Sequence, residues 1–263
     1  ANCPHGFISM KDGHVTIDNR CVKCKKCHDV FHGCLVANSL RLPKGEKKMG
    51  SIDRYGNMGV EFDWVRSYFK LKDEFWTSPH SLGTNMVKNL KSFLNDAEVT
   101  VRSKFAPFGK VIDNIGIDNA DAWALMLCNL TYTSEFNWWI KNIDFSATHT
   151  PDTIYAMLDD SMSKNSRSHI VSAYKNILIS IPQLSNEIGL GVCDYTLKNG
   201  KRFWNSVVRN SWQNPNPLVI LYSLYKFAEA CGSYYQFTLS RLLHHDIDSD
   251  GVSPTEIFGL DRN

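Results

Sequence analysis

Five of the eight cysteines fall within the first 34 residues: Cys3, the run Cys21-x-x-Cys24-x-x-Cys27, and Cys34. Packing gives no reason for thiols at every third position. Thiolates spaced this way can close around one metal centre, because short CxxC turns aim their sulfurs inward. The chemistry on offer is metal ligation by Cys3, Cys21, Cys24 and Cys27, with Cys34 as the alternative fourth ligand.

Two metals suit this set. A [4Fe–4S] cluster takes four thiolates, and CxxCxxC with a distant fourth cysteine is a usual supply. Structural zinc accepts the same donors, and His5, His28 and His32 stand nearby as substitutes. Zinc ribbons draw on two separated CxxC knuckles, whereas three ligands here come in one run, so the spacing favours iron and leaves zinc as the alternative. Thiols in CxxC steps, with no signal sequence before them, read as metal ligands in a reducing, cytoplasmic setting. Cys128, Cys193 and Cys231 stand singly among apolar residues and read as small buried hydrophobes.

Elsewhere the sequence offers little catalysis. It has no glycine-rich phosphate loop, no nucleophile elbow and no HExxH. Asp246-x-Asp248-x-Asp250-Gly251 opens like a calcium-binding EF-hand loop, but the twelfth position, which needs a bidentate carboxylate, is Ile257. Glu256 is one place early, and Ser253-Pro254 reads as the opening of a helix.

The elements that must carry these residues divide the 263-residue chain into a Cys-rich segment, 1–42, a linker, 43–50, and a mostly helical domain, 51–263. The first segment is rich in Gly, Lys and Cys and too poor in apolar residues to bury a core without a metal staple. Net charge is +2 overall but +5 over residues 1–50, leaving −3 beyond, so any polyanion-attracting field sits beside the cysteines. The longest apolar stretch, Pro217 to Cys231, is interrupted by Lys226 and Glu229 and is too short to span a bilayer. The beginning at Ala1 without methionine and the abrupt end at Asn263 are those expected of a piece cut from a longer polypeptide, with the last domain truncated.

Helical spacing dominates after residue 50. Phe62, Val65, Phe69 and Leu71 share a face; Ala120 to Leu130 and Phe136 to Ile140 read as buried helices; Arg167 to Ile179, Arg202 to Trp212 and Leu218 to Cys231 continue the pattern. Over 71–112 the reading is a winged helix-turn-helix: a short helix to Trp76, a turn, a helix over Asn85–Asn95 capped by Thr84, then Val99-Thr100-Val101 paired with Lys110-Val111-Ile112 as the wing. The second helix would expose Asn85, Lys88, Asn89 and Lys91, amides and cations suited to base edges and phosphates of DNA. The fold class expected is mainly α.

Cys3-Pro4-x-Gly6, the CxxCxxC run, Gly33-Cys34 and Asn38-Ser39 together resemble the iron–sulfur segment that follows the catalytic domain in phosphoadenosine-phosphosulfate (PAPS) reductase-like proteins, including the sulfur-transfer proteins of DNA phosphorothioation systems. Leu82-Gly83-x-Asn85-Met86-Val87-Lys88, Phe136-Asn137 and Ser253-Pro254-x-x-Ile257-Phe258-Gly259-Leu260-Asp261-Arg262 resemble an uncharacterised domain encoded with or fused to such proteins. The resemblance implies a nucleotide-binding catalytic domain N-terminal to Ala1, whose phosphate loop is not in this sequence. Cys3 as a cluster ligand, and sulfur-transfer proteins as partners, follow from it as well. The expectation is a non-catalytic portion of a PAPS reductase/sulfotransferase-like protein with a [4Fe–4S] cluster and a partner- or DNA-binding helical domain. A zinc-stapled DNA-binding module without redox role is the alternative, and a scaffold docking the catalytic half a third.

Overall fold

The computed structural model describes residues 8–11, 14–17, 52–231 and 251–260. The chain divides into two units, residues 1–48 and 49–263. In the first unit, β1 (Ile8–Lys11) pairs antiparallel with β2 (His14–Ile17), Ile8 opposite Ile17 and Lys11 opposite His14. That register leaves two residues for the connection, Asp12-Gly13 in the sequence, a pair suited to a two-residue hairpin.

The second unit is mainly α, as the helical spacing predicts. α1 (Phe62–Leu71) buries Trp64, Val65, Tyr68 and Phe69 and ends where Lys72, at φ 51°, breaks the α-helical path; a 3₁₀ turn, Lys72–Trp76, follows. α2 (Thr84–Asp96) buries Leu90, Phe93 and Leu94. Its N-cap position is Gly83, so Thr84 is the first helical residue rather than the cap. β3 (Thr100–Val101) pairs with β4 (Lys104–Phe105).

The predicted second strand of the wing is not a strand. Lys110, Val111 and Ile112 lie inside α3 (Pro107–Ile115), which Pro107 starts at N1. Phe108, Ile112 and Ile115 turn to the core at helical spacing, while Val111 stays 48% exposed. The hairpin is consequently four paired residues closed by Arg102 and Ser103, both at positive φ.

α4 (Ala120–Leu130), bounded as the sequence predicts, is the central helix and buries nearly every side chain. Asn119 caps it by accepting from the Asp121 N–H. α5 (Ser134–Asn142) brings Phe136 and Trp139 against it, and the indole N–H groups of Trp123 and Trp139 donate to Ile117 O and Leu190 O. Next come β5 (Thr148–His149), α6 (Pro151–Met157) with a Thr150 capping box, α7 (Lys164–Ser180) and a π-helical turn, Gln183–Glu187.

Residues 202–212, predicted helical, are largely strand. β6 (Val192–Lys198) and β7 (Lys201–Val208) form an antiparallel ribbon, and β5 joins at the far edge of β7, giving the order β5-β7-β6. Asn199 and Gly200, at φ 51° and 73°, make the two-residue turn that Asn-Gly favours. α8 (Pro217–Ala230), capped by Asn216, packs on α4. α9 (Pro254–Phe258) opens on a reciprocal capping box between Ser253 and Glu256 and closes on left-handed Gly259. Glu256 is thus a capping residue; Asp246, Asp248 and Asp250 lie outside the described residues. No described helix is long and apolar enough to cross a membrane.

Candidate functional site

The proposed metal ligands Cys3, Cys21, Cys24 and Cys27, and the alternative Cys34, lie outside the described residues. The β1–β2 hairpin bears on them through chain connectivity. Antiparallel partners stand about 5 Å apart at Cα, so the chain leaves the hairpin at Ile8 and Ile17 from neighbouring points. Cys3 is five residues before the first point and Cys21 four after the second. Each such segment can span more than 10 Å when extended. The hairpin register thus leaves nine residues of chain, these two cysteines included, outside the paired strands: five before Ile8 and four after Ile17.

Among the described residues no three His, Cys, Asp or Glu side chains gather as a metal site. Cys128 is fully buried in α4, and burial pushes its thiol, like that of Cys193, up to about 12. A thiol held protonated is neither a ready metal ligand nor a nucleophile.

The four residues expected on one DNA-facing surface part company. Asn85 and Lys88 are exposed on α2. Asn89 is buried, and its Nδ2 donates to Tyr55 O and to Gly59 O at 3.2 Å. This corrects its assignment as a base reader: it braces the turn over Tyr55–Gly59, adding a second donor to Tyr55 O, which already accepts from the Gly59 N–H, and a donor to Gly59 O. Lys91 is half-buried with Nζ 4.9 Å from the centre of the Trp76 ring, and that indole donates to Ser103 O in the β3–β4 turn.

A buried polar knot anchors the start of the second unit. Glu135, 2% exposed, accepts at Oε1 from the backbone N–H groups of Arg54 (2.7 Å) and Tyr55 (3.1 Å), while Oε2 has no partner. Burial raises its carboxyl to about 8, with Asp96 adding to the rise and the two N–H donors opposing it. Tyr55 Oη donates to Asp96, which also takes a forked contact from the Arg54 guanidinium. Burial holds Asp96 above the usual carboxylate range in spite of these donors. With Glu135 and Tyr55 buried and tied to the backbone, the group reads as an anchor for the chain entering the helical unit.

A cleft of about 1000 Å³ lies between α7 and the β6–β7 ribbon. Ser172, Lys175 and Asn176 form one side, Arg202, Phe203 and Trp204 the ribbon side, and Glu61 and Asp63 at the start of α1 the acidic end. Sequence reasoning missed these residues because it read 202–212 as helix. The signal that could have found them is Asn199-Gly200 between two runs rich in Val, Tyr, Phe, Thr and Trp.

In comparisons with known proteins, no family, curated protein or solved structure matches the chain.

Proposed function

We propose that the chain is the cluster-bearing, non-catalytic portion of a PAPS reductase/sulfotransferase-like protein. Its first unit would hold a [4Fe–4S] cluster through Cys3, Cys21, Cys24 and Cys27, with Cys34 as the alternative fourth ligand. The observation that carries the reading is the β1–β2 register. This pairing shortens the effective loop between Cys3 and the CxxCxxC run, which would lower the entropy cost of gathering four thiolates.

When bound, such a cluster supplies one-electron chemistry tuned by charge and hydrogen bonds to its sulfurs. Lys23, Lys25 and Lys26 flank the ligands in sequence and would favour the reduced, more negative state. The helical unit is the partner-binding half. It would dock the nucleotide-binding catalytic domain, other sulfur-transfer proteins or DNA in the cytoplasm. Anaerobic metal analysis with a Cys24→Ser variant tests the reading.

A second reading, a zinc-stapled DNA-binding winged-helix module, is supported by the order α1, turn, α2, β3–β4 and by exposed Asn85 and Lys88. It predicts salt-dependent duplex binding that falls when Lys88 becomes Ala. Burial of Asn89 weakens it, since one of its four contact residues is withdrawn.

A further inference from the structure

We infer that the β6–β7 ribbon, with the cleft beside it, binds single-stranded nucleic acid. The ribbon shares no residue with α2, and the inference rests neither on α2 nor on the cysteines of the first unit. The ribbon's distal sequence, Tyr195 to Trp204, carries Lys198, Lys201 and Arg202 and no acid; the nearest acid, Asp194, lies toward the root and accepts from Asn205 Nδ2 at 3.0 Å.

Exposed aromatic and apolar groups accompany the charge. Leu197 is 67% exposed, Phe203 50% and Tyr195 40%. Cross-strand pairing sorts them by face. Tyr195 opposite Trp204 and Leu197 opposite Arg202 occupy one face; Thr196 opposite Phe203, with Lys198 two residues on from Thr196, occupy the other. Each face therefore presents a ring with a cation near it, Arg202 Cζ 5.6 Å from the Tyr195 centroid and Lys198 Nζ 5.8 Å from that of Phe203. Cross-strand pairing of Tyr195 with Trp204 and of Thr196 with Phe203 contributes to the ribbon's stability, but Tyr195 and Phe203 still leave 40% and 50% of their surface in water.

Bases stack on such rings at about 1–3 kcal/mol each, without regard to sequence, while adjacent cations take the phosphates. The cleft extends the platform inward, with Phe203 the exposed ring on its ribbon side and Lys175 and Asn176 lining it from α7. The acidic end at Glu61 and Asp63 repels phosphate, which confines the backbone to the ribbon side, while carboxylates can accept from exocyclic amino groups of an unstacked base. A duplex hides its base faces and cannot use the rings. That difference makes the single strand the partner of choice.

The test is fluorescence anisotropy of the full chain with a labelled 12-nucleotide mixed-sequence single strand, the matching duplex, and poly-glutamate as a polyanion competitor. We expect the single strand to bind more tightly than the duplex, with poly-glutamate a weak competitor. Phe203→Ala should weaken binding about 5- to 100-fold with the salt slope unchanged. Lys198→Glu with Arg202→Glu should abolish binding, and Lys88→Ala should leave it intact. All these side chains are exposed, so unchanged melting temperatures would show that each variant folds. Duplex preference, equal competition by poly-glutamate, absence of binding, or indifference to the Phe203 and Lys198/Arg202 variants would each overturn the inference. None of these outcomes bears on the metal content of the first unit.

Discussion

The backbone N–H of Arg54 and the carboxyl of Glu135, eighty-one residues apart in sequence, meet at 2.7 Å inside the helical unit, where the carboxylate's other oxygen has no partner. Burial raises this carboxyl from its ordinary 4.5 to about 8. The folded state therefore keeps a proton that the unfolded chain releases, and stability is greatest below pH 4.5 for this group. It declines as pH rises toward 8 and is level above that. Urea titrations across pH 5–9 should show that decline, on the order of a few kcal/mol. Glu135→Gln should remove it while keeping an acceptor for both N–H groups. Glu135→Ala should lose roughly 2–4 kcal/mol at every pH, because two buried donors are left unpaired.

Gly109 sits in the first turns of α3 where a Cβ would stand 2.5 Å from Val99 O and 2.8 Å from a Phe105 ring carbon. Gly→Ala inside a helix ordinarily stabilises by about 1 kcal/mol. Here the sign should reverse, since the close neighbour is backbone and cannot rotate away. We expect Gly109→Ala to lower stability by about 1–3 kcal/mol in chemical denaturation.

Arg209, 1% exposed, donates from its guanidinium to Ile140 O, Ile143 O, Glu256 O and Ile257 O, all within 3.2 Å, and lies 4.1 Å from the Phe145 ring centre. It clamps α9 onto the end of α5. Burial lowers it to about 10, so it stays charged across the neutral range. Arg209→Met should lose at least about 3 kcal/mol, with amides of α9 losing hydrogen-exchange protection before those of α4. Arg209→Lys should recover only part, because a point ammonium cannot serve four carbonyls in a plane.

How much of this was legible depended on whether local period and tertiary role agreed. In Ala120–Leu130 they did, with Trp123, Met126, Leu127 and Leu130 repeating at helical spacing, and the helix has the predicted bounds. Ser253-Pro254 likewise announced α9. Over 202–212 they conflicted. Tyr195 pairs with Trp204 but Asp194 with Ser206, so Asn205 is an extra residue in β7. That bulge turns Trp204 and Val207 to the same face although they stand three apart, and with Trp212 they imitate a helical stripe. Asn89 was misplaced for another reason: its partners Tyr55 and Gly59 lie on a turn with no periodicity, so nothing local marks that face of α2 as covered.

The central claim concerns the first unit, and the most direct measurement is iron, sulfide and zinc content of the anaerobically prepared 263-residue chain beside its Cys24→Ser variant. The account predicts about four iron and four sulfide per chain, a visible thiolate-to-iron charge-transfer band, and loss of most iron in Cys24→Ser. Stoichiometric zinc without iron, no bound metal, or full iron content in Cys24→Ser would contradict it.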